Sequence, residues 1–427
     1  MTTKQESELL TRVGPGTPMG NLMRHYWLPA LKSSELKPDG DPVRLKLLGE
    51  ELIAFRDSSG RVGIMDHRCP HRCASLFYGR NEEDGIRCIY HGWKYDVEGN
   101  CLDQPNLPPH QQFRDKVRAK AYKAAERNGV VYAYMGAADK APPLPDIAAT
   151  HIPESEANIA FAFRECNWLQ GLEGDIDTSH LNFLHYGAAG AADFAPTDAA
   201  RFGQIRRDPE YQADEHELGT IYGAYRPAEN GSTYWRIAHF LFPCWTLAPF
   251  IAFEHYRIAR AWVPVDDTHM MFVMIAPKAG PGSVPVTERV LPNTTDFLGR
   301  YRLAQNAGND YQIDRAAQRT RSYTGIEGIH QQDQAVTESM GPITDYSFEH
   351  LAASDRMVMI TRRRLLAAAK ALAETGAMPP GSGVAGAETY GRMRGGYFLA
   401  PETRQWGDVY RLQLASVQTQ GAAEAAE

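Results

Sequence analysis

The chain has 427 residues, of which 43% are hydrophobic and 23% are charged, and its formal net charge is −7. This length exceeds what one ordinary hydrophobic core organises, so we expect two or more domains. The composition is typical of a soluble globular protein, and the negative charge argues against a nucleic-acid-binding surface.

The N-terminal sequence MTTKQESELL is polar and charged, and it lacks the apolar stretch of a signal peptide. No apolar run reaches the length that spans a bilayer, and the longest one, His239–Phe253, contains two prolines and predicts buried strands. Only six cysteines are present, which argues against a secreted disulfide framework. We therefore expect a cytoplasmic protein without a membrane partner.

The first 40 residues contain an amphipathic helix, and residues 41–140 alternate apolar and polar side chains in short runs. Examples of these runs are VRLKLLGEELIAFRD and GVVYAYMG. Alternation of this kind predicts β strands. A Pro-rich stretch at 137–147 predicts a linker to the remaining residues.

Two Cys/His pairs lie within this β-rich region. Cys69-x-His71 is followed, after sixteen residues, by Cys88-x-x-His91. Structural zinc sites usually pair like with like, whereas each half here supplies one thiolate and one imidazole. The mixed arrangement favours a [2Fe–2S] cluster in which two thiolates bind one iron and two imidazoles bind the other. A zinc-stabilised binding module remains the alternative.

A second candidate metal site follows the linker, in Asp177-x-x-His180-x₄-His185. Two histidines and a carboxylate are the ligand set of non-haem Fe(II) oxygenases. On a regular helix Asp177 and His180 share a face, but His180 and His185 lie about 140° apart. The helix must therefore be distorted or end between the histidines, and residues 186–188 provide a plausible end.

The C-terminal half continues with the strand-like runs GTIYGAYRP, TYWRIAHFLF, EHYRIARAWVPV and HMMFVMIAP. They predict a curved antiparallel sheet with helices packed on it, an α+β fold. The segment SDRMVMITRRRLLAAAKALAETG predicts a helix that stops at Gly376. The terminal GAAEAAE is expected to fray.

The cluster motif and the Gly-Trp that follows it resemble a Rieske centre. The whole chain is similar to the alpha subunits of Rieske non-haem iron aromatic ring-hydroxylating oxygenases, in the phthalate dioxygenase-like group. LLTRVGPGTPMG, CPHR, NWLQGLEGDIDTSH and YWRI carry this resemblance. It implies a small antiparallel Rieske domain at 41–140 and a catalytic domain at 148–427, with residues 1–40 forming a helical segment that packs on the catalytic domain.

The resemblance also implies roles for single residues. Cys69, His71, Cys88 and His91 correspond to the cluster ligands. His180 and His185 correspond to ligands of mononuclear Fe(II), and Asp177 corresponds to a carboxylate that bridges an iron-bound histidine and a Rieske histidine of a neighbouring subunit.

The third iron ligand is expected to be a carboxylate far along the chain. Asp333 is favoured because its surroundings resemble the family segment E-D-x-x-V-x-E, although Gln332 stands where Glu is common. The other candidates are Asp310, Asp314, Asp345 and Asp355.

The substrate expected from the resemblance is an aromatic carboxylate, which arginine binds through two parallel hydrogen bonds. Six arginines lie in the region expected to shape the pocket, and Arg207 and Arg236 are favoured among them. The full set is Arg206, Arg207, Arg226, Arg236, Arg257 and Arg260.

The function implied is that of a terminal oxygenase component, which hydroxylates or cis-dihydroxylates a phthalate-type substrate with O₂ and NADH-derived electrons. A reductase with flavin and ferredoxin domains delivers the electrons, and the subunits form a head-to-tail homotrimer or a stacked hexamer. O-demethylation of a methoxylated aryl acid is the alternative reaction. An electron-transfer Rieske protein without oxygenase activity is the alternative from another class.

Overall fold

The computed structural model describes residues 2–187, 198–205, 208–401 and 405–424. Within these ranges, none of the helices combines the length and the apolar character that crossing a membrane requires.

A six-stranded antiparallel sheet forms the body of the N-terminal domain, and its strands follow the alternating runs predicted from the sequence. They are β1 (Trp27–Lys32), β2 (Val43–Leu47), β3 (Glu50–Arg56), β4 (Val62–Asp66), β9 (Ala121–Arg127) and β10 (Val130–Tyr134). The strand order is β1-β10-β9-β4-β3-β2, so β1, which lies within the first 40 residues, forms one edge of this sheet.

A smaller sheet of four short strands is inserted between β4 and β9. Its strands are β5 (Arg80–Glu82), β6 (Gly85–Arg87), β7 (Lys94–Tyr95) and β8 (Cys101–Asp103). A separate hydrophobic cluster that includes Leu76, Ile86, Trp93 and Tyr95 packs beneath it. Both Cys/His pairs lie in loops at this sheet, one before β5 and one between β6 and β7.

An eight-stranded antiparallel sheet forms the C-terminal domain. Its strands are β11 (Ala157–Arg164), β12 (Glu210–His216), β13 (Gly219–Pro227), β14 (Ser232–Leu241), β15 (Trp245–Leu247), β16 (Ala259–Pro264), β17 (Met270–Pro277) and β18 (Gly396–Pro401). The order is β11-β17-β16-β15-β14-β13-β12, and β18 also pairs with β14. The predicted α+β class, a small antiparallel β domain followed by a catalytic domain with an antiparallel sheet and helices, is confirmed.

The helices lie mainly in the C-terminal domain. They are α1 (Lys4–Thr11), α2 (Pro18–Met23), α3 (Trp168–Ile176), α4 (Phe202–Ile205), α5 (Arg315–Thr320), α6 (Ile329–Ser339), α7 (Arg356–Thr375), α8 (Val384–Thr389) and α9 (Trp406–Glu424). Helix α7 packs on β12 and β13, and α1 and α2 pack on α7. Helix α7 ends where Gly376 adopts φ +70°, a left-handed conformation that glycine accepts at low cost.

Candidate metal centres

The two Cys/His loops have the same backbone design. In the first loop the amide of Cys73 donates to the carbonyl of Cys69 at 2.9 Å, and in the second the amide of Gly92 donates to the carbonyl of Cys88 at 2.9 Å. Cys73 and Gly92 both have positive φ, +59° and +78°. The two loops therefore share one backbone hydrogen-bonding pattern around their Cys/His pairs.

The two thiols form a buried pair. Cys69 and Cys88 are 1% and 3% exposed, and their side chains are hydrogen-bonded to each other. This bond and the backbone N–H groups of Tyr90 and His91 hold the pKa of the Cys88 thiol below its usual range. The hydroxyl of Tyr95 lies 3.5 Å from Cys69 Sγ.

The two imidazoles form a second pair nearer the surface. The ring centroids of His71 and His91 are 4.5 Å apart, and His71 stacks on Trp93 at 4.3 Å. Nδ1 of His91 is buried and has no hydrogen-bond partner among the residues described. A buried imidazole nitrogen without a partner fits a metal ligand.

Two separate pairs fit a [2Fe–2S] cluster better than a single zinc ion. A tetrahedral zinc ion needs all four ligand atoms around one point. In the described part of the chain, no three of these four residues place their ligand atoms within 4.8 Å of one another. The geometry therefore matches two thiolates on one iron and two imidazoles on the other.

The second motif does not lie on a helix. Helix α3 ends at Ile176, before both histidines, which corrects the expectation that a helix continues to residues 186–188. Asp177 has an extended backbone, and its Oδ1 accepts hydrogen bonds from the amide and the hydroxyl of Ser179, both at 2.7 Å. A local side-chain-to-backbone bond of this kind competes with the next helical turn. His180 then begins a short 3₁₀ turn.

This turn brings the two histidines to one point, and α6 supplies the carboxylate. Oδ1 of Asp333 lies 3.6 Å from Nε2 of His180 and 3.2 Å from Nε2 of His185. One ligand atom from each residue can be chosen so that all three lie within 4.8 Å, which is wide enough to surround a single metal ion. The donor set of two imidazoles and one carboxylate fits Fe(II) with open coordination positions.

The carboxylates and imidazoles of this site shift one another's pKa values. Burial opposes ionisation of Asp333, but its hydrogen bond with His185 and the neighbouring positive charges hold the pKa of the Asp333 carboxyl below its usual range. Burial likewise disfavours the charged form of His180, but Asp177 and Asp333 outweigh it and raise the pKa of that imidazole. Asp177 Oδ2 lies 3.4 Å from Nδ1 of His180.

The structure adds Gln332 to the site, a residue that the sequence comparison had noted only because it stands where the family segment commonly has Glu. Gln332 Oε1 accepts a hydrogen bond from Nδ1 of His185 at 2.7 Å, and the Gln332 amide nitrogen donates to the carbonyl of Ile326 at 2.8 Å. The second bond fixes the orientation of the amide. Gln332 thereby keeps a proton on Nδ1 of His185 and fixes the orientation of the ring, so that Nε2 faces Asp333.

The other four candidate carboxylates lie outside this group. Asp314 caps α5, accepting hydrogen bonds from the amides of Ala316 and Ala317, and Asp345 accepts from Ser347. Asp310 is exposed, and Asp355 accepts from the amide of Ala352.

A cavity of about 1240 Å³ contains the site and reaches Arg236 on β14. Arg236 is 7% exposed, its Nε is buried, and its guanidinium forms no hydrogen bond or ion pair with any residue that the structure describes. Arg260 also lines the cavity but is paired with Asp175. Arg207 lies outside the described residues.

Comparison with known proteins gives two family matches. A family model described as Rieske [2Fe-2S] domain matches residues 26–114, and one described as LigXa C-terminal domain like matches residues 133–390.

Two curated relatives align over most of the chain. The oxygenase subunit of 3-chlorobenzoate-3,4-dioxygenase from Comamonas testosteroni is 46% identical over 97% of this chain and 99% of its own length. The oxygenase subunit of phthalate 4,5-dioxygenase from Pseudomonas putida is 40% identical over 86% of each chain.

The fold also matches the crystal structure of dicamba monooxygenase bound to dicamba. The TM-score is 0.55 at 16% identity, and the match covers 81% of this chain and 98% of that one. Both family models and both curated relatives indicate the same family. The chain therefore belongs to the Rieske non-haem iron oxygenases, as an oxygenase alpha subunit.

Proposed function

We propose that this terminal oxygenase component hydroxylates or cis-dihydroxylates an aromatic carboxylate with O₂ and NADH-derived electrons. The observation that carries the substrate class is Arg236, which is buried in the cavity of the candidate iron site without an anionic partner. An uncompensated buried charge costs several kcal/mol. A carboxylate on the substrate would neutralise it through two parallel hydrogen bonds.

The cavity wall suits the aromatic part of such a substrate. Phe250, Trp262, Phe272 and Leu184 line it together with the metal-binding residues. Large apolar side chains exclude water and hold a ring by its faces. The two curated relatives are named for 3-chlorobenzoate and phthalate, both of which are aromatic carboxylates, and this supports the assignment.

In this proposal each site residue has one task. Cys69, His71, Cys88 and His91 hold the cluster. His180, His185 and Asp333 hold the mononuclear iron, which supplies O₂ activation when bound. Arg236 orients the ring by its carboxylate, so that one edge faces the two imidazoles.

Asp177 and the surface next to the cluster support electron transfer between subunits of a homotrimer or a stacked hexamer. Ile89 and Tyr90, beside His91, are 62% and 53% exposed. Large exposed apolar residues beside a redox centre are typical of a surface that a partner covers. Asp177 contacts His180 and is partly exposed, so its carboxylate is available to a histidine of a neighbouring cluster domain.

The electron donor in this proposal is a reductase with flavin and ferredoxin domains. The alternative without oxygenase activity is distinguished by metal content. The oxygenase needs about three irons per chain, two in the cluster and one in the mononuclear site, whereas an electron-transfer protein needs two. Iron analysis of the purified protein that gives two irons, with the cluster spectrum intact, would rule the oxygenase out.

The reaction itself is tested by product analysis. The protein, a compatible reductase, NADH and O₂ are incubated with benzoate, chlorobenzoates, phthalate and methoxybenzoates, each beside its uncharged amide. We expect hydroxylated or cis-dihydroxylated products from the acids and little from the amides. Formaldehyde release from the methoxybenzoates alone would instead assign O-demethylation.

A further inference from the structure

A second buried arginine, Arg164, lies in the wall of the same cavity. It ends β11, is 1% exposed, and its guanidinium lies 5.0 Å from the ring centroid of Trp262. Unlike that of Arg236, its guanidinium donates hydrogen bonds, but none of the acceptors within the described ranges is a carboxylate. Arg164 is therefore a fixed positive charge that interacts with Asp333, Glu338 and Asp175 through space but has no hydrogen-bonded carboxylate in the described part of the chain.

The hydrogen bonds of Arg164 lie on both sides of Asp333 along α6. Nη1 donates to Thr337 Oγ1 at 3.2 Å, and Nη2 donates to Nδ1 of His330 at 3.2 Å. The Thr337 hydroxyl in turn donates to the carbonyl oxygen of Asp333 at 2.8 Å. The guanidinium thus contacts α6 on both sides of Asp333, at His330 before it and at Thr337 after it.

His330 does not contribute a second charge. A guanidinium can only donate hydrogen bonds, so Nδ1 of His330 must carry a lone pair and the imidazole is neutral. Burial and the charge of Arg164 both lower the pKa of His330, which agrees with that assignment. The net charge of the Arg164–His330 pair is therefore +1.

We propose that Arg164 is a positioning residue of the mononuclear iron site, which orients Asp333 through α6 and biases the metal towards its ferrous state. This rests on the proposed function, because it assumes that His180, His185 and Asp333 bind iron. A fixed positive charge in a poorly solvated wall disfavours an additional positive charge on the metal. The ligand set of two histidines and one carboxylate is that of Fe(II) oxygenases, so the ferrous state is the one that this site would have to favour.

The test separates the charge from the hydrogen bonds. Arg164→Gln removes the charge and keeps a donor, and Arg164→Lys keeps the charge. Thr337→Val keeps the charge of Arg164 but removes the hydroxyl that accepts from Arg164 and donates to Asp333. Arg321→Met is the matched control, because Arg321 borders the same cavity but is exposed to solvent, which screens its charge. The midpoint potential of the mononuclear iron and the affinity of the iron-depleted site for Co(II) are measured in each variant.

We expect Arg164→Gln to lower the potential, so that the ratio of ferric to ferrous affinity rises about tenfold. Arg164→Lys and Arg321→Met keep the wild-type potential. Thr337→Val keeps the potential and weakens Co(II) binding several-fold, so the positioning role is tested even if Arg164→Gln fails to fold.

An unchanged potential in Arg164→Gln with bound iron overturns the electrostatic role, and unchanged Co(II) affinity in Thr337→Val overturns the positioning role. If the wild-type protein holds no third iron, the proposed function itself fails. These measurements need no substrate, so the two failures are distinguishable.

Discussion

The imidazole of His185 is fixed by Gln332, a residue 147 positions away in the sequence, through a hydrogen bond of 2.7 Å from Nδ1 to Oε1. The adjacent residue, Asp333, contacts the other nitrogen of the same ring at 3.2 Å. Neighbouring residues of one helix therefore set both the orientation and the metal-facing atom of His185.

Removing that hydrogen bond is expected to weaken metal binding. We predict that Gln332→Leu lowers the affinity of the mononuclear site for Fe(II) or Co(II) about 10- to 100-fold, the range typical of residues that orient a metal-bound histidine. Metal titration of the iron-depleted protein measures the effect. Gln334→Leu is the matched control, because Gln334 is buried on the same helix but bonds to Glu338. Equal affinities in the two variants would contradict the role of Gln332.

Asp177 is expected to matter for electron transfer rather than for metal retention. We predict that Asp177→Asn keeps both metal centres but lowers NADH-coupled turnover about 10- to 100-fold, since the amide no longer carries the charge that holds His180. Iron content, the cluster spectrum and NADH consumption are compared in one preparation. Ser179→Ala, which leaves the Asp177 carboxylate in place, should retain most activity. Turnover near wild type in Asp177→Asn would exclude the proposed route.

Arg236 is expected to act on binding of acids alone. Arg236→Met should lower kcat/KM for benzoate-type substrates about 30-fold or more, because truncating one partner of a buried charge pair costs about 2 kcal/mol or more. Product formation from each acid and its uncharged amide is the measurement. The exposed Arg257→Met serves as the control. An equal loss for acid and amide would show that Arg236 shapes the site rather than binding the carboxylate.

Tyr95 is expected to tune the cluster. The Tyr95 hydroxyl can donate to the thiolate of Cys69, and such a bond stabilises the more negative, reduced cluster. We predict that Tyr95→Phe lowers the cluster potential by about 60 mV, which corresponds to about 1.4 kcal/mol for one electron. A redox titration followed by the visible spectrum measures the shift. Tyr132→Phe, at a buried tyrosine in the main sheet of the same domain, should leave the potential unchanged.

The metal-free protein should show a pH-dependent contribution of His180 to stability. The folded-state pKa of His180 is raised because Asp177 and Asp333 outweigh the effect of burial. The stabilisation is therefore complete below the unfolded pKa of about 6.5 and is lost as the pH rises through the folded value. We expect the difference in unfolding free energy between wild type and His180→Gln to shrink above about pH 6.5. Denaturant unfolding at several pH values tests this, and a difference that grows with pH would contradict it.

The sequence by itself determined the features that depend on short separations. Cys69 to His91 and His180 to His185 each lie within one or two loops, so their spacing predicts which ligands can share a metal. The alternation of apolar residues likewise predicted strands of the two larger sheets, because side chains on a strand point alternately to its two faces.

Only the tertiary structure decided the relationships between distant segments. That Gln332 holds His185 and that Arg164 contacts the turn of Asp333 both depend on contacts between elements far apart in the chain. The lack of a partner for Arg236 is also invisible in the sequence, which shows a charged residue but not whether an opposite charge packs beside it. Such contacts form only when sheet and helices close around the cavity, and no local pattern of residues encodes them.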